Sequence, residues 1–218
     1  MTETRQEFAG LSHLEVVIWY GLVVVSTAIF AWGVAILIAK YARGRRESIL
    51  PSLWPRARRM LATVASQSSI RRRAPLAGAA HTMIFYGFAV LFIGTTILGF
   101  QTDFTKPAFG WTFWQGDFYL GYKLCLDAGG LALLAGLCLM AVQRGIRKPF
   151  RLDYRRPDRA PGTYDRTGYI VGDWVFLWTL FFLVVTGFVL EGLDLAWQPT
   201  AYAAWSPAGW ALAKAFTA

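Results

Sequence analysis

LAGAAHTMIFYGFAVLFIGTTILGF, residues 76–100, contains no Asp, Glu, Lys or Arg. An apolar run of this length, wound as a helix, is long enough to cross a hydrocarbon core of about 30 Å. Three further runs share the pattern, at about residues 16–38, 118–142 and 170–190, the last with Asp173 near its start. The predicted fold is all-α: a single polytopic membrane domain over residues 1–218 with four transmembrane helices.

The segments between these runs set the orientation. Of the 22 Lys and Arg, ten lie in Lys40–Arg73 beside one acid, Glu47, and eight in Arg144–Arg166 beside three acids. Basic loops stay on the cytoplasmic side. The loops 40–74 and 143–169 are therefore expected inside, with both termini and the tail 191–218 outside. The net charge of +9 raises the question of a nucleic-acid partner. Its confinement to loops between apolar runs gives it a topogenic meaning instead, so no nucleic acid is expected. Aromatic residues make up 16% of the chain and dress the outer loop, where Phe104, Phe109, Trp111, Phe113 and Trp114 suit a membrane surface.

Smaller features follow. Residues 1–15 hold three Glu and one Arg, so the first run reads as a retained span rather than a signal peptide. Cys125 and Cys138 share one helical run about 20 Å apart, which excludes a mutual disulfide. They read as buried structural thiols. The stretch RARRMLATVASQSSI, residues 56–70, mixes Arg with Met60, Leu61, Val64 and Ile70. It reads equally as an interfacial helix on an anionic leaflet or as a solvated loop. RKPFRLDYRRPDRAPGTYD, residues 147–165, reads as an irregular connector. After Pro207 the helix-compatible stretch is too short to cross.

Few side chains in the spans can carry chemistry. His81 sits at the cytoplasmic end of the second span, and an ionisable group at membrane depth is a functional hypothesis. Neutral imidazole is a good axial ligand for haem iron. Phe85, Phe88 and Phe92 follow His81 at helical spacing, Gly87 and Gly94 could form a flat strip for a ring, and Arg71, Arg72 and Arg73 are candidates to pair with propionates. Each has an ordinary counterpart: lipid-facing aromatics, helix-packing glycines and topogenic arginines. His13, the other histidine, is placed across the bilayer, so a bis-histidine haem needs a second chain. Lys123 and Asp127, at i and i+4, read as a mutual salt bridge or as candidates to bind a quinone head group. Ala128, Ala132 and Gly136 form a small-residue stripe suited to a close helix contact. No phosphate loop, nucleophilic triad or metal-ligand spacing appears.

Two motifs carry a resemblance. They are AHxxIFxGF around His81, within RRRAPLAGAAHTMIFYGFAVLFIGTTILGFQTDF, and WxLxFLxxTGFxLEG around Thr186, Gly187, Phe188 and Glu191. From about Tyr41 to Pro207 the chain resembles the nitrate-reductase-gamma-like cytochrome b domain. It is more closely similar to the membrane part of heterodisulfide-reductase-like iron–sulfur proteins, as in electron-transfer flavoprotein:menaquinone oxidoreductases. The resemblance implies haem b, with His81 as its ligand candidate, and exchange of electrons with quinone. It also implies a cytosolic iron–sulfur partner. In that family a further span with more histidines, and a cluster-binding domain, accompany the segment; neither is present in these residues.

Two functions follow as expectations. One is the membrane subunit of an oxidoreductase, a cytochrome-b-like anchor between cytosolic iron–sulfur or flavoprotein partners and the quinone pool. The other is a haem-free structural subunit of a larger respiratory or photosynthetic complex. Both place the chain in the bilayer of a bacterial inner membrane, among other protein subunits.

Overall fold

A computed structural model describes residues 12–44, 53–149, 154 and 164–218. The described residues are helical with no strand. Four of the helices are long and apolar enough to cross a membrane. In lipid, backbone N–H and C=O groups must bond within their own segment, which is why apolar runs of this length become helices.

The chain divides into two units, Arg5–Ala62 and a second running from Thr63 to Ala218. The first contains α1, His13–Ala42, whose start is fixed by a capping box: Ser12 accepts from the Glu15 N–H while the Glu15 carboxylate accepts from the Ser12 N–H at 2.7 Å. Most of α2, Leu53–Ser66, also belongs to it.

The second unit holds the rest. Helix α3 is Ser68–Arg73 and α4 is Pro75–Phe100, with proline at its first turn, where a missing N–H costs nothing. A π turn at Gln101–Thr105 leads into α5, Lys106–Phe109, so this span continues nine residues beyond its expected end. Helix α6 is Gly116–Val142 with a π turn to Arg147, and α7 is Arg166–Trp197, capped by Asp165, which accepts from the Gly168 N–H at 2.8 Å. Helix α8, Pro207–Thr217, completes the order. The segment expected as tail from residue 191 thus begins as the last turns of α7. The connector reading of residues 147–165, the acidic N-terminal stretch and residues 45–52 lie largely or wholly outside the described residues.

Helices α4 and α6 meet backbone to backbone. A Cβ on Gly87 would lie 2.6 Å from the Gly129 carbonyl oxygen, and one on Gly136 would lie 2.8 Å from that of Ala80. Small residues permit this approach, and dispersion and polar contacts then hold the pair where lipid offers no hydrophobic drive. The seam is Gly129, Leu133 and Gly136, not the expected Ala128, Ala132 and Gly136: Ala128 is exposed and Ala132 half-buried. Leucine fits at 133 because Gly87 of α4 supplies the space. On the next face of α6, Leu133 and Leu137 form a core with Leu177 and Val184 of α7. Helix α8 folds back along α7, with Gly209 against Glu191 and Gly192 against Leu212 and Phe216.

The aromatic loop after α5 is partly interior. The Gln101 side-chain oxygen accepts from the backbone N–H groups of Phe113 and Trp114, at 3.0 and 2.6 Å. Trp114 is buried against Tyr119 and Leu120, while Phe104, Phe109 and Trp111 are exposed. The two cysteines, expected to be buried, are both exposed on α6.

Candidate functional site

Two groups of polar side chains sit at opposite ends of the second unit. At the first, α4 carries His81 in its second turn. The residue is half-buried and its Nδ1 is buried without a hydrogen-bond partner. A buried polar atom left unpaired costs about 1–3 kcal/mol. Iron-ligating histidines usually donate their second ring N–H to a carbonyl or carboxylate, a contact Nδ1 does not make here.

The features expected around His81 divide. Gly87 and Gly94 offer no strip for a ring: α6 fills both, with Gly129 and Leu133 at Gly87 and the Leu126 side chain at Gly94. The Phe85, Phe88 and Phe92 ridge stays open on the adjoining face. Phe88 and Phe92 stack at 6.3 Å, and each is at least half exposed. Arg71, Arg72 and Arg73 are exposed in the last turn of α3. Gly78 lets the backbone of Arg71 close onto α4, which sets this basic turn beside the start of the helix bearing His81. Among the described residues, no group of three or more His, Cys, Asp and Glu gathers to hold a metal.

The same end carries an interhelical charge pair. Arg144 of the α6 extension binds Asp173 of α7 at 2.5 Å, and the Tyr154 hydroxyl donates to the same carboxylate oxygen at 2.5 Å. That hydrogen bond to a carboxylate raises the Tyr154 phenol above its ordinary range. Gln143, the residue before Arg144 in the same π turn, is buried with its side-chain nitrogen unpartnered.

At the other end, Lys123 and Asp127 lie on one face of α6 but bind different partners. Lys123 Nζ reaches Glu191 Oε1 of α7 at 2.6 Å. Asp127, buried, accepts from the Ala208 N–H at 3.0 Å and lies 3.3 Å from the Ser206 hydroxyl. Ser206 is also 2.9 Å from Glu191. Asp127 thereby caps α8 from another helix, where the positive end of the dipole favours a carboxylate. The expected Lys123–Asp127 salt bridge gives way to a four-residue knot joining α6, α7 and α8. Ser206 is its middle link, in contact with both Glu191 and Asp127; Glu191 is singled out in the sequence only as part of a motif. From the level of His81 to Gly94, against which Leu126 packs, α4 rises about 20 Å, so the two ends are separate sites.

No protein-family profile matches the chain, and no solved structure matches it. The chain is similar to the EtfAB:quinone oxidoreductase of Syntrophomonas wolfei subsp. wolfei, with 30% identity over an alignment of 189 residues that covers 83% of this chain. Those residues are 23% of that protein, so the chain spans less than a quarter of the relative it matches.

Proposed function

We propose that this chain is a membrane electron-transfer subunit, a cytochrome-b-like anchor that exchanges electrons with the quinone pool. The observation that carries this reading is the likeness, over 83% of the chain, to a protein named as a quinone oxidoreductase. His81 is the chain's own candidate ligand for haem b, with the open Phe88–Phe92 ridge beside it. When bound, the haem would supply one-electron transfer. His81 would ligate the iron and Arg71–Arg73 would meet the propionates.

The orientation follows the basic loops, with the termini outside and His81 towards the cytoplasm of a bacterial inner membrane. A cytosolic iron–sulfur or flavoprotein partner would deliver electrons there. At the far end, Lys123, Asp127 and Glu191 are candidates to bind a quinone head group, Lys123 as donor to a carbonyl. The second reading, a haem-free structural subunit, is favoured by the knot itself, whose charged groups already satisfy one another.

The test is the visible spectrum of the complex purified with its partner subunits. Reduced b-type bands that disappear in His81→Ala, with the subunits still co-purifying, are expected. A complete complex without such bands overturns the redox reading and leaves the structural one.

A further inference from the structure

We infer that α2 is a membrane-surface element that lies in the headgroup region of an anionic leaflet. Viewed down its axis, Leu53, Trp54, Met60, Leu61 and Val64 fall in one arc of about 120°, and all five side chains are exposed. Arg56 and Arg58 stand just outside the two edges of that arc, and Arg59 lies on the opposite side. The helix has no acidic residue.

That arrangement is specific to an interface. An apolar arc sinks to the acyl boundary, while flanking guanidinium groups snorkel outward to phosphates. A helix made to dock on a soluble protein has no need of cations at both edges of its apolar face. The charge is complementary to anionic phospholipid and to nothing neutral. The Tyr86 hydroxyl of α4 donates to the Ala65 carbonyl, which ties the last turn of α2 to a spanning helix.

The test is spin-label accessibility on the full chain, reconstituted in bilayers of phosphatidylcholine alone or with an equal part of phosphatidylglycerol. The exposed Cys125 and Cys138 are first replaced by alanine, and single labels are placed by Leu61→Cys and Arg59→Cys. With phosphatidylglycerol present, the label at 61 is expected to be several-fold more accessible to oxygen than to a water-soluble nickel chelate, and the label at 59 the reverse. Removing phosphatidylglycerol should lower the oxygen preference at 61, and Arg56→Gln with Arg58→Gln should abolish that lipid dependence. Equal nickel access at both positions would show a solvated helix and overturn the inference. Shielding of 61 from both reagents would show a protein partner on the face and overturn it equally. A lipid dependence that survives the double arginine substitution would remove the anionic headgroup as its cause.

Discussion

Lys123 on α6 and Glu191 on α7, 68 residues apart in the chain, meet through a single 2.6 Å contact that also draws in the start of α8 through Ser206. Lys123 is largely buried and the Glu191 side chain is one-third exposed. Truncating either partner leaves a charge without its counterion in a low dielectric. Lys123→Ala is expected to cost about 1–2 kcal/mol, discounted from a fully buried pair by that exposure. Adding Glu191→Gln should restore part of the loss. A double-mutant cycle on thermal unfolding in detergent checks this, and additive losses would deny the coupling.

Asp127 has a different role from its neighbour one turn away. Asp127→Ala removes the acceptor for the Ala208 N–H, at an expected cost of about 1–2 kcal/mol. Amide exchange across residues 207–217 should accelerate, and Asp127→Asn, which keeps an acceptor oxygen, should recover most of the protection. Unchanged exchange in Asp127→Ala would show that α8 does not depend on this cap.

The glycines divide into two classes that stability measurements can separate. A Cβ on Gly87 meets backbone atoms of Gly129 and Leu133 below 3 Å, whereas one on Gly187 meets nothing within 4 Å. Gly87→Ala should destabilise by about 1–3 kcal/mol as α4 and α6 are pushed apart. Gly187→Ala should be neutral, or stabilising by up to about 1 kcal/mol through helix propensity. Thermal melts of the two variants side by side test the assignment; equal losses would count against it.

Gln101 holds the aromatic loop by one side-chain oxygen. Gln101→Ala orphans the N–H groups of Phe113 and Trp114, an expected loss of roughly 2 kcal/mol. Faster exchange at those two amides, with α7 and α8 unaffected, is the diagnostic result.

Tyr154 gives an alkaline prediction. Its phenol is raised above 10.0 by the hydrogen bond to Asp173. A raised group contributes stability that is fully present below its unfolded value and is lost as pH rises through its folded value. The wild type should therefore exceed Tyr154→Phe in melting temperature below pH 10, and the gap should close as pH climbs beyond it. A gap independent of pH would mean that the ring, not the proton, matters.

The spans were legible because length and the absence of charge are local properties. The four expected runs lie within α1, α4, α6 and α7, with ends that shift where a cap or a π turn extends the helix. Contacts were less legible. The i, i+4 spacing of Lys123 and Asp127 places both on one face but says nothing of Glu191 or Ala208, which reach them after one and two chain reversals. The small-residue stripe was misread by one position because Leu133 looks too large for a seam until Gly87 opposite is known. Cys125 and Cys138 were expected inside because thiols usually are, yet both are exposed on α6, on different sides of it.

The glycine seam also has a mechanical meaning. Side-chain interfaces can shear by changing rotamers, whereas Gly87, Gly129 and Gly136 have no rotamers to change. Sliding α4 along α6 would bring the Gly129 and Ala80 carbonyl oxygens against residues that carry a Cβ, so the pair behaves as a keyed joint. The height of His81 above the Lys123–Glu191 knot is thereby set by this seam, where Ile84, Val90 and Leu126 side chains fill the space beside the glycines. Movement within this unit is therefore left to α7, α8 and the loops.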